Sequence, residues 1–220
     1  MEIKFKLFLE KLIYNTDIFS KKDIKVAKKV AKELGEKILK PLNAGSFGKA
    51  YETKSGKVLK LTSDEEEFHI AQKLSRNKNW MKCLINYYNV GELISQDYDY
   101  KWYILMDKVL PLTTLEKVTI NYYYMDIIQY NKNYWEDINN EKKIKKIRNS
   151  DTNVRKMANK LYPYIVKICK ELKLHKIKET DFHSENMGWD KNFENLVLFD
   201  LGGCIEEIEP SNRKINKIKI

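Results

Sequence analysis

Three polar residues near the end of the sequence have the chemistry of a metal-assisted group transfer. In the stretch from Thr180 to Gly203, TDFHSENMGWDKNFENLVLFDLGG, the residues Asp181, Asn186 and Asp200 are spaced so that one hairpin gathers them. If Met187 to Asp190 and Leu196 to Phe199 are strands joined by a turn over Lys191 to Asn195, the loop centres on Phe193 and Asn186 faces Asp200. An amide oxygen and a carboxylate converging at the open end are hard donors that suit magnesium, with waters completing the shell. Asp181, on the loop leading into the first strand, then lies close to the metal. A carboxylate held there orients and deprotonates a hydroxyl attacking a metal-bound phosphate. The plainer reading is a hairpin flanked by Asp and Asn because these are common turn residues.

The run Asp181-Phe-His-Ser-Glu-Asn186, followed by Asp200-Leu-Gly202, resembles the catalytic loop and metal-binding motif of the protein-kinase-like superfamily. Within that superfamily, Asp-x-His-x-x-Asn is similar to the aminoglycoside and choline kinase branch. Upstream, Leu42-Asn-Ala-Gly45-Ser46-Phe-Gly48-Lys-Ala50-Tyr51 resembles the glycine-rich loop that covers ATP phosphates in protein kinases. Glycines there let the backbone approach phosphate oxygens and offer N–H groups. Asn43 stands where the first glycine is usual, and Ala50 where a valine usually covers the adenine.

The resemblance extends in order along the chain. After the turn signal Ser55-Gly56, a strand with Val58, Lys60 and Thr62 on one face puts Lys60 where the family places the lysine that binds the α- and β-phosphates. Its expected partner is a glutamate on the next helix, where Glu65, Glu66 and Glu67 all occur. Ser63 with Glu66 reads as a capping box, whereas Glu67, Ala71 and Leu74 share a helical face, so Glu67 is the expected partner. The spacing from Lys60 is shorter than is usual in protein kinases. Leu84 to Leu93 and Trp102 to Met106 read as strands. Asp107-Lys-Val109 then resembles the hinge between lobes, with Met106 as gatekeeper and the Asp107 and Val109 backbone placed to bind adenine.

Elsewhere helices dominate. Residues 1 to about 40 read as two helices, the second opening at Ser20 with Asp23 three residues on and closing at Gly35. This segment holds 11 Lys against 6 acidic residues. It is expected to pack on the following sheet with its lysines in water, the alternative being a docking or nucleic-acid-binding extension. A helix opens near Leu115 behind Thr113 or Thr114. A longer one runs from about Thr152 to Leu174, with Val154, Met157, Leu161, Ile165, Ile168 and Leu172 as its buried stripe and Pro163 as a kink point. The basic run Glu141 to Lys160 reads as a solvated face, with steering of an acidic substrate as the sharper alternative.

Composition excludes other classes. The 220 residues are 43% hydrophobic and 12% aromatic, which is enough for a real core, and carry a formal net charge of +10. That balance favours acidic partners such as nucleotide phosphates, although the abundance of Lys, Asn, Ile and Tyr also suits an AT-rich genome. Three cysteines without ligand spacing argue for reduced thiols in a cytoplasmic protein, and no apolar run approaches a membrane span.

The expected architecture is α+β and two-lobed, of protein-kinase-like fold. Residues 1–36 form a helical extension, 37–110 an N-lobe with a five-stranded antiparallel sheet plus helix, and 111–220 a reduced, mainly helical C-lobe. Glu179-Thr180 replaces the usual His-Arg before the catalytic aspartate, and only eighteen residues follow Gly202, leaving no room for an activation segment. This reduction, with the composition, suits a phage or viral protein working in a host cytoplasm. The resemblance implies an ATP- and magnesium-dependent phosphotransferase with a protein hydroxyl as acceptor, or else a small molecule. Gly45, Ser46 and Gly48 would cover the phosphates, Lys60 and Glu67 position them, Asn186 and Asp200 hold magnesium, and Asp181 orient the acceptor. The rival readings are a pseudokinase acting as a nucleotide-binding or interaction module, and AMP transfer on the same fold. Charge alone supports nucleic-acid binding.

Overall fold

A computed structural model of the chain describes residues 19–45, 47–76, 81–95, 97–123, 151–175, 177, 182–201 and 215–220. The chain divides into two compact units, one made of Met1–Asn77, Tyr87–Lys108 and Pro210–Ile220, the other of Lys78–Asn86 and Val109–Glu209. The N-terminal helix groups with the sheet, Val109 and Leu110 fall in the second unit, and residues 210–220 group with the first.

In the first unit, helix α1 (Lys21–Glu33) opens on a capping box in which Asp23 N–H donates to Ser20 Oγ and Ser20 N–H donates to Asp23 Oδ2. Gly35, at φ 71°, follows its end, where a left-handed residue costs glycine nothing. The sheet is built from β1 (Ile38–Ala44), β2 (Gly48–Thr53), β3 (Val58–Thr62), β4 (Tyr87–Ile94) and β5 (Trp102–Met106), with helix α2 (Glu65–Leu74) between β3 and β4. These five strands pair antiparallel in the order β1-β2-β3-β5-β4.

Alternation along the strands gives the sheet two distinct faces. One carries Tyr51, Leu59, Leu61, Leu93, Tyr103 and Leu105, all buried against Ala27, Val30 and Ala31 of α1. The other carries Lys60, Thr62 and Trp102, and meets α2 through Glu67 and through Phe68, whose ring stacks on Trp102 at 5.3 Å. The N-terminal helix therefore supports the face opposite Lys60.

A sixth strand, absent from the expected five, completes the sheet. β8 (Asn216–Lys219) pairs parallel with the edge of β4, Gly91 opposite Asn216 and Leu93 opposite Ile218. Gly91 makes the approach possible: a Cβ there would collide with the Asn216 carbonyl and stand 2.5 Å from Tyr103 Oη. Lys217 Nζ lies 3.0 Å from Glu92 Oε2, and Ile218 and Ile220 pack onto the core.

The second unit is built on helices α3 (Thr114–Tyr123) and α4 (Thr152–Leu174), which pack together. Thr113 caps α3 reciprocally: Glu116 N–H donates to Thr113 Oγ1 at 3.3 Å, and Thr113 N–H donates to Glu116 Oε2 at 2.8 Å. Of the expected α4 stripe, Val154, Leu161, Ile165, Ile168 and Leu172 are buried, and Met157 is half-buried. A short hairpin of β6 (Met187–Trp189) and β7 (Leu196–Leu198) completes this unit among the described residues, with β7 against α4. Cys83 and Cys169 are free and buried, and burial pushes both thiols up to about 12. Cys204 lies outside the described residues. No helix among the described residues is long and apolar enough to cross a membrane.

Candidate functional site

The first unit holds a buried ion pair beside a glycine turn. Lys60 sits at the centre of β3, opposite Ala50 of β2 and Ile104 of β5. Its ammonium donates to Glu67 Oε1 at 2.6 Å, and the Glu67 side chain is only 1% exposed. Burying a carboxylate is costly unless its oxygens are satisfied, and here the second oxygen lies 3.1 Å from the Thr62 hydroxyl. The helix start fixes Glu67 in place. Asp64 is the N-cap, and its Oδ1 accepts from Glu67 N–H at 3.0 Å.

The expected capping box of Ser63 with Glu66 is therefore displaced by one residue. The Ser63 hydroxyl donates instead to the Phe47 carbonyl at 3.2 Å, and Asp64, a stronger charged acceptor, takes the cap. That shift leaves Glu66 exposed and puts Glu67 in the third helical position, with its side chain against β3.

The glycine loop is tied to the same strand. Gly45 N–H donates to the Gly48 carbonyl at 2.9 Å, closing the turn, and the Phe47 carbonyl accepts from Ser63 N–H at 2.8 Å. The Thr62 hydroxyl also lies 3.2 Å from that carbonyl, so one proton is shared between the loop and Glu67. A Cβ on Gly48 would stand 2.9 Å from the Leu61 carbonyl and 3.0 Å from Lys60 Cε. Glycine at 48 is thus what lets the Lys60 stem pass beneath the loop. Gly45 meets nothing within 4 Å, so space alone does not require glycine there. Ser46 lies outside the described residues.

At the end of β5, the Asp107 carboxylate accepts from Tyr88 Oη at 2.6 Å, and Lys108 Nζ donates to Glu52 Oε1 at 2.8 Å. Burial, together with the hydrogen bond to Asp107 and its charge, holds the Tyr88 phenol well above its ordinary range. Val109 belongs to the second unit, packed on Gly188: a Cβ at 188 would stand 2.9 Å from Val109 Cβ and 2.6 Å from the Leu110 carbonyl. Leu110 in turn exchanges both backbone hydrogen bonds with Trp189.

In the second unit, Ser184–Asn186 forms a single tight 3₁₀ turn that leads into β6. His183 caps it, its Nδ1 accepting from Glu185 N–H at 3.2 Å, which gives this histidine a structural task. Helix α3 anchors the turn: Ser184 N–H donates to Asn121 Oδ1 at 3.0 Å, and Lys117 pairs with Glu185 at 3.0 Å.

The hairpin register differs from the expected one by one residue. Met187 faces Leu198 and Trp189 faces Leu196, so Asn186 lies opposite Phe199, whose N–H donates to its carbonyl at 2.9 Å, and not opposite Asp200. The turn explains the shift. Asp190 N–H donates to the Asn195 carbonyl, and the Asp190 carboxylate accepts from the N–H groups of Asn192, Glu194 and Asn195. Burial alone would raise the Asp190 carboxyl, but these bonds and the Asn195 amide outweigh it and hold it below the ordinary range. An even-numbered turn moves the pairing axis half a residue from Phe193, and with it every partner.

Asn186 is 8% exposed, and half-buried Asp200 follows Phe199 at the same open end of the hairpin. Asp181 and Gly202 lie outside the described residues. Among the described residues no group of three or more His, Cys, Asp or Glu gathers as a metal cluster. An amide with one carboxylate is nevertheless a donor set suited to a cation that keeps several waters.

Two positioning residues were missed in the sequence. Glu171 of α4 accepts from three successive backbone N–H groups, those of Lys82, Cys83 and Leu84, at 2.9–3.0 Å. That clasped segment carries β7, because Leu198 N–H donates to the Cys83 carbonyl and Ile85 N–H donates to the Leu198 carbonyl. Glu171 thus braces the strand that ends two residues before Asp200. Thr62 is the other: the sequence puts it on the Lys60 face, and its hydroxyl reaches both the Phe47 carbonyl and Glu67. The face it shares with Lys60 was the available signal; for Glu171, nothing in the local sequence points 87–89 residues back.

No family model matches the chain, and no curated protein matches it. Among solved structures, the crystal structure of PF14_0431, kinase domain, aligns over 83% of this chain at 14% identity with a TM-score of 0.45. The match spans 55% of that structure's chain.

Proposed function

We propose that this chain is an ATP- and magnesium-dependent phosphotransferase of the protein-kinase-like type, acting on a protein hydroxyl. The observation that carries the reading is the Lys60–Glu67 pair at 2.6 Å, set on a strand against which Gly48 closes with no room for a side chain. A lysine held by a buried carboxylate beneath a glycine turn is a phosphate-positioning arrangement: the carboxylate fixes the ammonium, and the turn gives backbone access.

In this reading Gly45, Ser46 and Gly48 cover the phosphates, Lys60 binds them, and the backbone of Asp107 and Val109 receives the adenine. Asn186 and Asp200 supply oxygen donors to magnesium, which when bound neutralises charge on the phosphates. Asp181 accepts the proton of the acceptor hydroxyl and aims its oxygen at phosphorus. Because the chain contributes positions and charge, catalysis rests on preorganisation, with Glu67, Thr62, Asp64 and Glu171 holding the acting groups.

The test is a thermal shift with ATP, with and without magnesium, on the wild-type protein and on Asp200→Ala, followed by transfer of labelled γ-phosphate to candidate proteins. A stabilisation that needs magnesium and disappears in the variant supports the reading. No stabilisation at millimolar nucleotide overturns it. Stabilisation without transfer to any protein or small hydroxyl compound moves the reading to a nucleotide-binding module.

A further inference from the structure

Helix α1 does more than cover the sheet. Asp23 sits in its first turn and is 5% exposed. Four donors reach its carboxylate: Ser20 N–H at 2.9 Å, Ser20 Oγ at 2.7 Å, Tyr98 Oη at 3.0 Å and Lys49 Nζ at 2.5 Å. Burial alone would raise the carboxyl, but the bonds from Lys49, Ser20 and Tyr98 outweigh it and hold it below the ordinary range. Lys49 is itself 15% exposed, with its ammonium 5.8 Å from the Phe19 and Tyr100 ring centres.

This is an expensive way to attach a helix. The apolar face of Ala27, Val30 and Ala31 already seats α1 on the sheet, and an ion pair taken out of water adds little net stability over apolar side chains. What such a pair supplies is a defined position for both partners. The position it defines here is that of Lys49, the residue immediately after Gly48.

The glycine turn is then gripped at its base from both sides. On the Lys60 face, the Phe47 carbonyl is tied to Ser63 and Thr62. On the opposite face, Lys49 is tied to Asp23.

We propose that Asp23 and Lys49 are positioning residues for the glycine turn, with α1 as a bracket that sets the turn's reach toward nucleotide phosphates. The functional half of this statement rests on the nucleotide reading above; the mechanical half does not. Loss of either charge frees the start of β2, and the turn must then be ordered at the expense of ligand binding.

The experiment uses full-length Asp23→Asn, Lys49→Met, the double variant, and Val30→Ala as a control that weakens the same helix elsewhere. Hydrogen exchange of peptides spanning residues 44–49 is measured without nucleotide, and ATP–magnesium affinity by calorimetry at a temperature where circular dichroism shows every variant folded. Both single variants are expected to speed exchange over 44–49 and weaken ATP about fivefold or more, the double being no worse than the weaker single. Val30→Ala is expected to lower the melting temperature and leave both readouts at wild-type values.

Unchanged exchange over 44–49 in Asp23→Asn overturns the bracket, whatever the protein does with nucleotide. Faster exchange with unchanged affinity overturns the functional half. If Val30→Ala weakens ATP as much as Asp23→Asn does, the effect is general destabilisation and the proposal fails. A wild-type protein that binds no ATP brings down the nucleotide reading alone, because the exchange measurement still decides the bracket.

Discussion

Replacing Glu67 by glutamine tests the central pair with the least change of shape. Glutamine keeps an oxygen for the Thr62 hydroxyl, so the 3.1 Å contact survives, while the charge facing Lys60 at 2.6 Å disappears. Breaking a fully buried pair costs about 3–5 kcal/mol, because the partner is left charged and unpaired. The Lys60 side chain keeps 15% of its surface in water, which relieves part of that cost, although the amide NH2 now facing it is a donor and accepts nothing from the ammonium. The expected loss is therefore about 2 kcal/mol, or roughly 4–8 °C in melting temperature for a chain of this size. Urea unfolding followed by circular dichroism measures it. On the nucleotide reading, ATP with magnesium binds the variant more weakly and therefore widens the stability gap at equal nucleotide concentration. A loss below about 0.5 kcal/mol, within the range of an ordinary surface change, would refute the claim that the pair is buried and strong.

Two further substitutions probe the second unit. Gly188→Ala places a Cβ against the Leu110 carbonyl and Val109, backbone and a β-branched side chain that yield little; urea unfolding is expected to show a loss of about 2 kcal/mol. Glu171→Ala leaves three backbone N–H groups without their acceptor and is expected to cost about 2–3 kcal/mol in the same assay. Hydrogen exchange should rise over residues 81–86 and 196–198 together in that variant, since one clasp holds both segments.

Local chemistry made much of this structure legible in the sequence. Ser20 with Asp23 announced the start of α1, and the Thr152–Leu174 helix declared itself by its apolar spacing, because capping and amphipathic periodicity act within a few residues. The resemblance implied a glutamate partner for Lys60, and helical phase chose it: among three adjacent glutamates, only Glu67 shares a face with Ala71 and Leu74. What escaped depended on competition between neighbours or on distant partners. Asp64 outcompeted Ser63 for the helix cap. Asp190 drew three amides into an even-numbered turn, which moved Asn186 from opposite Asp200 to opposite Phe199. The bond from Lys49 to Asp23 spans 26 residues, and the pairing of β8 with β4 links segments more than a hundred residues apart, so no window of local sequence could contain either. Asp181, the expected acceptor-orienting residue, lies outside the described residues.

The parallel pairing of β8 with β4 has a consequence for how the chain is made. Strands β1 to β5 emerge from the ribosome early, whereas the strand that covers the β4 edge is synthesised only after the whole second unit. During that interval the outer edge of Tyr87–Ile94, the side away from β5, is a template that any passing extended chain can extend. The notch at Gly91, open until Asn216 arrives, makes that edge still easier to approach. Translation of Asn216–Lys219 thus withdraws a sticky edge from circulation, and nascent chains stalled before Asn216 leave it exposed.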